Sequence, residues 1–414
     1  MERALLVTVA FERERWTPEE RSAELKELAR SAGAAVVREE IVRMHDPSPA
    51  QFIGSGKAEE FAKICADERI NLVVFNNDLN GTQQKHLEDV INARIIDRTQ
   101  LILDIFAKRA HSNEGKLQVE LAQLLYLMPR LVGKGVELMG QTGGIGSVGP
   151  GEKKLEVDRR KIKDRVTRLE KDLEELRQRR AMMRKKRSRF AALTIAIVGY
   201  TNAGKSTLLN ALTNSSVLTQ DKLFATLDPT IRKFIFPNKQ KALFVDTVGF
   251  IDNLPHHLIE AFKATLEEVI EADLILHIVD VSHPKAHEHS DAVYKVLEDI
   301  GVKDVPVITV LNKADLVGDP AVLEKAKASF KSTIAISALK KEGFDVLTGA
   351  ILPHISGLIA PVKITIPSSD VKTLNLIYEN GLVTKKEYSG ESVYIEAQVP
   401  LRIKELLESR DIIA

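Results

Sequence analysis

The stretch Gly199-Tyr200-Thr201-Asn202-Ala203-Gly204-Lys205-Ser206 constrains this chain more than any other, because it works only between a strand and a helix. The apolar run Leu193–Val198 precedes it and the amphipathic stretch Ser206–Thr213 follows it, so a strand–loop–helix unit of an α/β sheet is predicted there. The glycines let successive backbone N–H groups turn inward around a β-phosphate at the helix N-terminus. Lys205 would place a point charge on the β and γ oxygens, Ser206 would offer its hydroxyl to Mg²⁺, and Thr207 joins them as a nucleotide-binding candidate.

Downstream loops recur in the order such a domain needs. Forty-one residues after Lys205 comes Asp246-Thr247-Val248-Gly249, directly after the apolar run Ala242–Val245. A carboxylate at that strand end can hold Mg²⁺ through a water, and the Gly249 amide can reach a γ-phosphate. A further 66 residues on, the predicted strand Val305–Leu311 ends in Asn312-Lys313-Ala314-Asp315. Asp315 can accept both the N1–H and the exocyclic N2–H₂ of guanine, a pattern adenine does not offer. Ser337-Ala338-Leu339 fits the loop whose backbone N–H meets the guanine O6. Four loops at four strand ends therefore predict a guanine-nucleotide-binding domain. A fifth, Phe224-Ala225-Thr226-Leu227-Asp228-Pro229-Thr230, must supply a threonine to close the Mg²⁺ shell. Thr226 is preferred to Thr230, although spacing alone does not decide between them. Phe250 stands directly after Gly249, where Ras-like GTPases carry a glutamine that orients the attacking water. Phenylalanine cannot hydrogen-bond water, so intrinsic hydrolysis is expected to be slow and to need a partner.

The rest of the chain is organised around that domain. With 414 residues, two to four domains are expected. Residues 1–110 alternate short apolar runs with amphipathic stretches, which predicts a small α/β domain with a partly parallel sheet. Leu117, Leu121, Leu124, Met128 and Leu131 mark one face of a helix over 117–131, and Leu155, Ile162, Val166, Leu169, Leu173 and Leu176 mark a longer one over 152–189. Between them lie eight of the 23 glycines, all within 133–151. The prediction is an antiparallel helical hairpin with a glycine-rich tip, spanning 111–192. The nucleotide-binding domain then runs over 193–356, and a small α+β module over 357–414, its entry bracketed by Pro361 and Pro367.

Charge separates these parts although the whole carries a net of only +1. Within 151–190 there are 17 Lys+Arg against 8 Asp+Glu, a local excess of nine positive charges. An unbalanced basic surface of this kind suits phosphate contact, although no aromatic interleaving points to stacking on single strands. Other features carry less chemistry. Gly54-Ser55-Gly56-Lys57 lacks the first glycine of the phosphate pattern and a following Ser/Thr, and reads as a helix start. His256-His257, His283, His287 and His289 have no evident acidic co-ligand, so a surface role is expected. Cys65, the single cysteine, rules out an intramolecular disulfide and reads as core filler. No signal-peptide pattern opens the chain and no apolar run approaches the ~20 residues of a membrane span, so a cytoplasmic monomer without a transmembrane segment is expected.

These residues together resemble the HflX GTPases. The resemblance rests on the Tyr-Thr-Asn-Ala core of the phosphate loop, Phe224–Asp228, Asp246–Ile251, and above all Gly143-Gly144-Ile145-Gly146, Gly149-Pro150-Gly151-Glu152 and Leu155-Glu156-Val157-Asp158-Arg159-Arg160. It covers essentially the whole chain. Two positions depart from the family pattern: Val148 where many members carry Arg, and Lys153-Lys154 where they often carry Thr-Gln. The resemblance implies an N-terminal α/β domain, a helical hairpin, a GTP-hydrolysing domain and a short C-terminal domain. It also implies action on the large ribosomal subunit and its rRNA near the peptidyl-transferase centre, separating or rescuing stalled ribosomes under stress. Two rivals stand beside it: a GTP-gated scaffold that binds a protein through the hairpin without touching RNA, and an ATP-driven RNA remodeller using the N-terminal domain.

Overall fold

The computed structural model describes residues 1–11, 16–133, 150–188, 193–213, 223–236, 240–252, 266–356 and 359–410, with 255, 258 and 262 between them. The chain divides into two compact units: 1–174 with 221–227 and 254–262, and 175–220 with 228–253 and 263–414.

The first unit is built on β1 (Arg3–Ala10), β2 (Ala35–Arg43), β3 (Leu72–Phe75) and β4 (Arg94–Asp97), in the spatial order β2-β1-β3-β4. All three pairings are parallel, so the sheet is wholly and not partly parallel. The reason is that each strand-to-strand connection carries a helix, which returns the chain to the same edge. Helix α1 (Pro18–Ala32) starts after Thr17, because Thr17 accepts from the Glu20 amide while the Glu20 side chain accepts from the Thr17 amide. Helix α2 (Ser55–Asp67) opens on Gly54 as its N-cap, and Lys57 pairs with Glu60 at 2.7 Å, so Gly54–Lys57 forms a helix start. The core holds Leu5, Val7, Phe61 and Phe75, all at 0% exposure, each contributing about 1.5–3 kcal/mol of transfer free energy. Cys65 lies among them, and burial pushes its thiol up to about 11.

After α3 (Gly81–Ile91) and α4 (Arg98–Arg109), α5 (Asn113–Leu127) starts four residues earlier than its apolar stripe suggests. Ser112 is the cause, its hydroxyl accepting from the Gly115 amide. The helix stops at Leu127, and Met128–Gly133 continue as a 3₁₀ turn, because Pro129 has no N–H to donate. Arg130 rivets this corner: it donates to Asp97 at 2.9 Å, to the Leu79 carbonyl at 2.6 Å, and lies 3.5 Å over the Tyr126 ring. Helix α6 (Pro150–Ser188) packs Ile162, Val166, Leu169 and Leu173 against Leu117, Leu121, Leu124 and Met128, and Arg165 grips Glu120 with two 2.7 Å bonds. The two helices thus form the hairpin that the apolar spacing predicts; its glycine-rich tip, 134–149, lies outside the described residues. Phe106 of α4 is buried edge-on against Phe224 and Phe262, at 4.7 Å from each ring, and Ser31 accepts from the Leu223 amide.

The second unit holds a six-stranded sheet of β5 (Leu193–Gly199), β6 (Thr230–Ile235), β7 (Lys241–Asp246), β8 (Leu274–Asp280), β9 (Val307–Asn312) and β10 (Thr333–Ala335). Its order is β10-β9-β8-β5-β7-β6, parallel except for the β6–β7 pair. The carboxyl ends of β5, β7, β8 and β9 consequently face one edge, where an α/β sheet binds its ligand. A second sheet, β11 (Ile359–Pro367), β12 (Leu382–Ser389) and β13 (Ser392–Pro400), is antiparallel in the order β11-β13-β12. Pro361 lies within β11 and Pro367 ends it; β11 is an edge strand, where proline is tolerated.

His277 of β8 is 1% exposed, and neither ring nitrogen has a hydrogen-bond partner among the described residues. Burial, helped by Lys205, pushes its pKa down to about 4. The unfolded chain, with an ordinary histidine near 6.5, then binds the extra proton first, so stability is full above pH 6.5 and falls as pH drops towards 4. Between pH 7 and 5 the loss should be about 2 kcal/mol by urea denaturation, and His277→Leu should remove that slope. An unchanged slope in the variant would assign the loss to other groups.

Candidate nucleotide site

Strand β5 delivers the chain into Gly199–Gly204 and α7 (Lys205–Thr213) carries it away. Within the loop Asn202 (φ 62°) and Gly204 (φ 95°) adopt left-handed backbone, which folds the loop around its own centre. A Cβ on Gly204 would fall 2.2 Å from Asn312 Nδ2, so only glycine fits. Lys205 points inward, donating to the carbonyls of Gly199 at 3.0 Å and Tyr200 at 2.8 Å. Its burial lowers the ammonium to about 8, with Asp246 opposing the shift. Ala203 and Thr201 are buried; Thr207 follows Ser206 in the first turn of the helix.

Parallel pairing sets Asp246 opposite Ile197, and from there its carboxylate accepts the Ser206 hydroxyl at 2.6 Å. A hydroxyl and a carboxylate oxygen this close are hard donors of the kind Mg²⁺ prefers, so the pair fits the ion. Thr247 is fully buried and donates to the Ile197 carbonyl, and Val248 is buried beside it. Gly249 lies against the phosphate loop: a Cβ there would meet Thr201 Cγ2 at 2.8 Å and Lys205 Nζ at 3.1 Å. Phe250 is 2% exposed.

The base-facing loops begin at the end of β9. Asn312 donates to the Ala203 carbonyl at 2.8 Å and accepts from the Ala338 amide at 3.0 Å. Its side chain thereby braces the phosphate loop against the Ser337–Leu339 turn, and the second N–H of its amide is left over from these two bonds. Lys313 takes a left-handed conformation (φ 62°) and pairs with Asp280 at 2.7 Å, while Ala314 donates to the Ile336 carbonyl. The Asp315 side chain is 6% exposed, 4.0 Å from Lys340. Ser337 accepts from the Lys340 amide, Ala338 is buried, and Leu339 is 79% exposed.

Phe224, Ala225, Thr226 and Leu227 belong to the segment that packs in the first unit, and Asp228 belongs to the second. Thr230 opens β6 paired with Asp246, and Thr226 lies in the loop before it. Sequence reasoning missed Asp280, which positions Lys313, and His289, whose ring stacks on Tyr200 at 3.8 Å. The only available signal was the strand-end position of Asp280. His287 stacks on Phe330, His283 lies 4.3 Å from His289, and His256-His257 fall outside the described residues. Among the described residues no three His, Cys, Asp or Glu side chains group in a way that could hold a metal, and no helix is long and apolar enough to cross a membrane.

Residues 19–107 match the family model of the GTP-binding GTPase N-terminal region, 109–187 that of the middle region, 194–313 that of 50S ribosome-binding GTPases, and 321–410 that of the HflX C-terminal domain. The GTPase HflX of Caldanaerobacter subterraneus subsp. tengcongensis is 47% identical over 408 residues, covering 99% of this chain and 93% of that one. The GTPase HflX of Escherichia coli K12 is 38% identical over 403 residues, 97% and 94% of the two chains. A crystal structure of a GTP-binding protein from Sulfolobus solfataricus in complex with GDP aligns with 25% identity and a TM-score of 0.47, over 86% of this chain and 100% of that chain.

Proposed function

The chain belongs to the HflX family of GTPases, and from that premise we propose that it hydrolyses GTP with Mg²⁺ while docked through its basic hairpin on the large ribosomal subunit. The observation that carries the nucleotide half is the meeting of Lys205, Ser206, Asp246 and the Asn312-braced turn at one edge of one mostly parallel sheet. In this reading Gly199–Ser206 wraps the phosphates, Ser206 and Thr226 would hold the ion with Asp246 acting through a water, and Asp315 reads guanine. Bound Mg²⁺ would neutralise charge building on the β and γ oxygens. Water attacks the γ-phosphorus as its bond to the β–γ bridging oxygen breaks. Lys205 supplies fixed positive charge, and the Gly249 amide is the donor that senses whether a γ-phosphate is present.

The ribosomal half rests on charge and on kinship. Helix α6 exposes Arg159, Arg160, Lys161, Lys163, Arg168 and Lys171, and phosphate neutralisation with counterion release favours such a surface on rRNA. Phe250 carries no group that could orient water, so the partner has to reorganise the site or supply a polar group. We infer release or splitting of stalled ribosomes as the output. The parts are 1–110, 111–192, 193–356 and 357–414, with the hairpin as the docking arm.

Steady-state GTP hydrolysis with and without purified large subunits tests this, with Lys205→Ala as the blank. Acceleration on the order of a hundredfold or more is expected, shrinking steeply as salt rises. Hydrolysis that stays slow with subunits present would remove the ribosome as the activator. Salt-insensitive binding would favour a protein partner of the hairpin.

A further inference from the structure

The loop that should greet the third phosphate is tied shut by three bonds. Phe250 donates to the Gly199 carbonyl at 3.1 Å, and its own carbonyl accepts from the Thr201 amide at 2.7 Å, a short ladder between the phosphate loop and the segment 249–252. Two residues on, the Asp252 amide donates to the Tyr200 hydroxyl at 2.9 Å. Tyr200 is 5% exposed, and its ring lies 3.8 Å from that of His289, at an interplanar angle of 5°. His289 in turn packs on His283 at 4.3 Å. The phenol is thus held in place from the helix Ala286–Asp299, and its hydroxyl is aimed at the segment that carries Phe250.

The position of this segment has a consequence for nucleotide choice. Gly249 stands so close that one added carbon would lie 3.1 Å from Lys205 Nζ, the group expected on the β and γ oxygens. A diphosphate leaves that place alone, whereas a triphosphate requires 249–252 to lift away. The apparent affinity for the triphosphate is then the intrinsic affinity reduced by the fraction of molecules with the segment lifted.

We propose that Tyr200, clamped by His289, is the residue that sets discrimination between guanosine tri- and diphosphate, by latching 249–252 onto the phosphate loop. This rests on the reading of Gly199–Ser206 as the nucleotide site. Losing the hydroxyl weakens the shut state by one hydrogen bond and leaves the lifted state as it was. The triphosphate gains and the diphosphate does not share the gain.

The test is the ratio of GTP to GDP affinity, measured on the full chain by displacement of a fluorescent GDP, using a non-hydrolysable GTP analogue. Tyr200→Phe keeps the ring and removes the hydroxyl, and should raise the ratio roughly three- to tenfold. His289→Ala releases the clamp from a half-buried helix position and should move the ratio the same way, so a folding defect in the first variant leaves the second to decide. The double variant should add little to Tyr200→Phe, since both act on one latch. A ratio within twofold of the parent in both single variants overturns the latch. Failure of the parent protein to bind either nucleotide would overturn the site itself, which is a different result.

Discussion

Asp315→Asn should lower GTP affinity by roughly 10³–10⁴ and confer comparable affinity for xanthosine triphosphate. Guanine offers N1–H and N2–H₂ together, and only an acceptor pair satisfies both. The asparagine amide presents one acceptor and one donor, which leaves a guanine N–H facing a donor in a nearly closed site, where the Asp315 side chain is 6% exposed. Xanthine carries a carbonyl in place of the amino group, so the new donor finds a partner. Competition of each triphosphate against labelled GDP measures the exchange directly. A drop of less than tenfold for GTP would move base recognition to other groups, and Lys340, 4.0 Å from Asp315, would be the next to test.

Gly204→Ala should weaken both GTP and GDP by at least a hundredfold and cost about 2–3 kcal/mol of stability. Two independent reasons converge on this position. Its φ of 95° is left-handed, and the added methyl would fall 2.2 Å from Asn312 Nδ2. The methyl therefore either twists the phosphate loop or expels the Asn312 side chain from its bonds to Ala203 and Ala338. Asn312→Ala separates the two effects, because it removes the brace without straining the backbone. Isothermal titration with GDP and thermal melting of both variants provide the comparison. Should Asn312→Ala bind as tightly as the parent, bracing would contribute nothing to the grip.

The nucleotide edge was legible in the residues because its chemistry is local. Each loop is a run of three to eight residues at a strand end, and strand ends are visible as apolar runs stopped by a polar residue. The first unit was legible in its helices, for Thr17 and Glu20 announce α1 and the leucine stripe announces α5. What stayed hidden was set by tertiary partners. The strand order β2-β1-β3-β4 follows from pairing choices that periodicity does not encode. The edge position of β11, where a proline within a strand is tolerated, depends on strand order. The Asn312 side chain bonds to residues 109 and 26 positions away, partners that its place at a strand end does not announce. The Tyr200–Asp252 bond joins residues 52 apart, and no spacing rule connects them.

The deep seat of Cys65 makes the protein nearly blind to thiol chemistry. With its thiol near 11, the reactive thiolate amounts at pH 7 to about one molecule in ten thousand, so oxidants and alkylating reagents have little to attack. The native chain is for that reason a silent background for a cysteine introduced on the exposed face of α6, whose label would report alone. Any inactivation by peroxide would have to be sought among the six methionines, of which Met182 is 63% exposed.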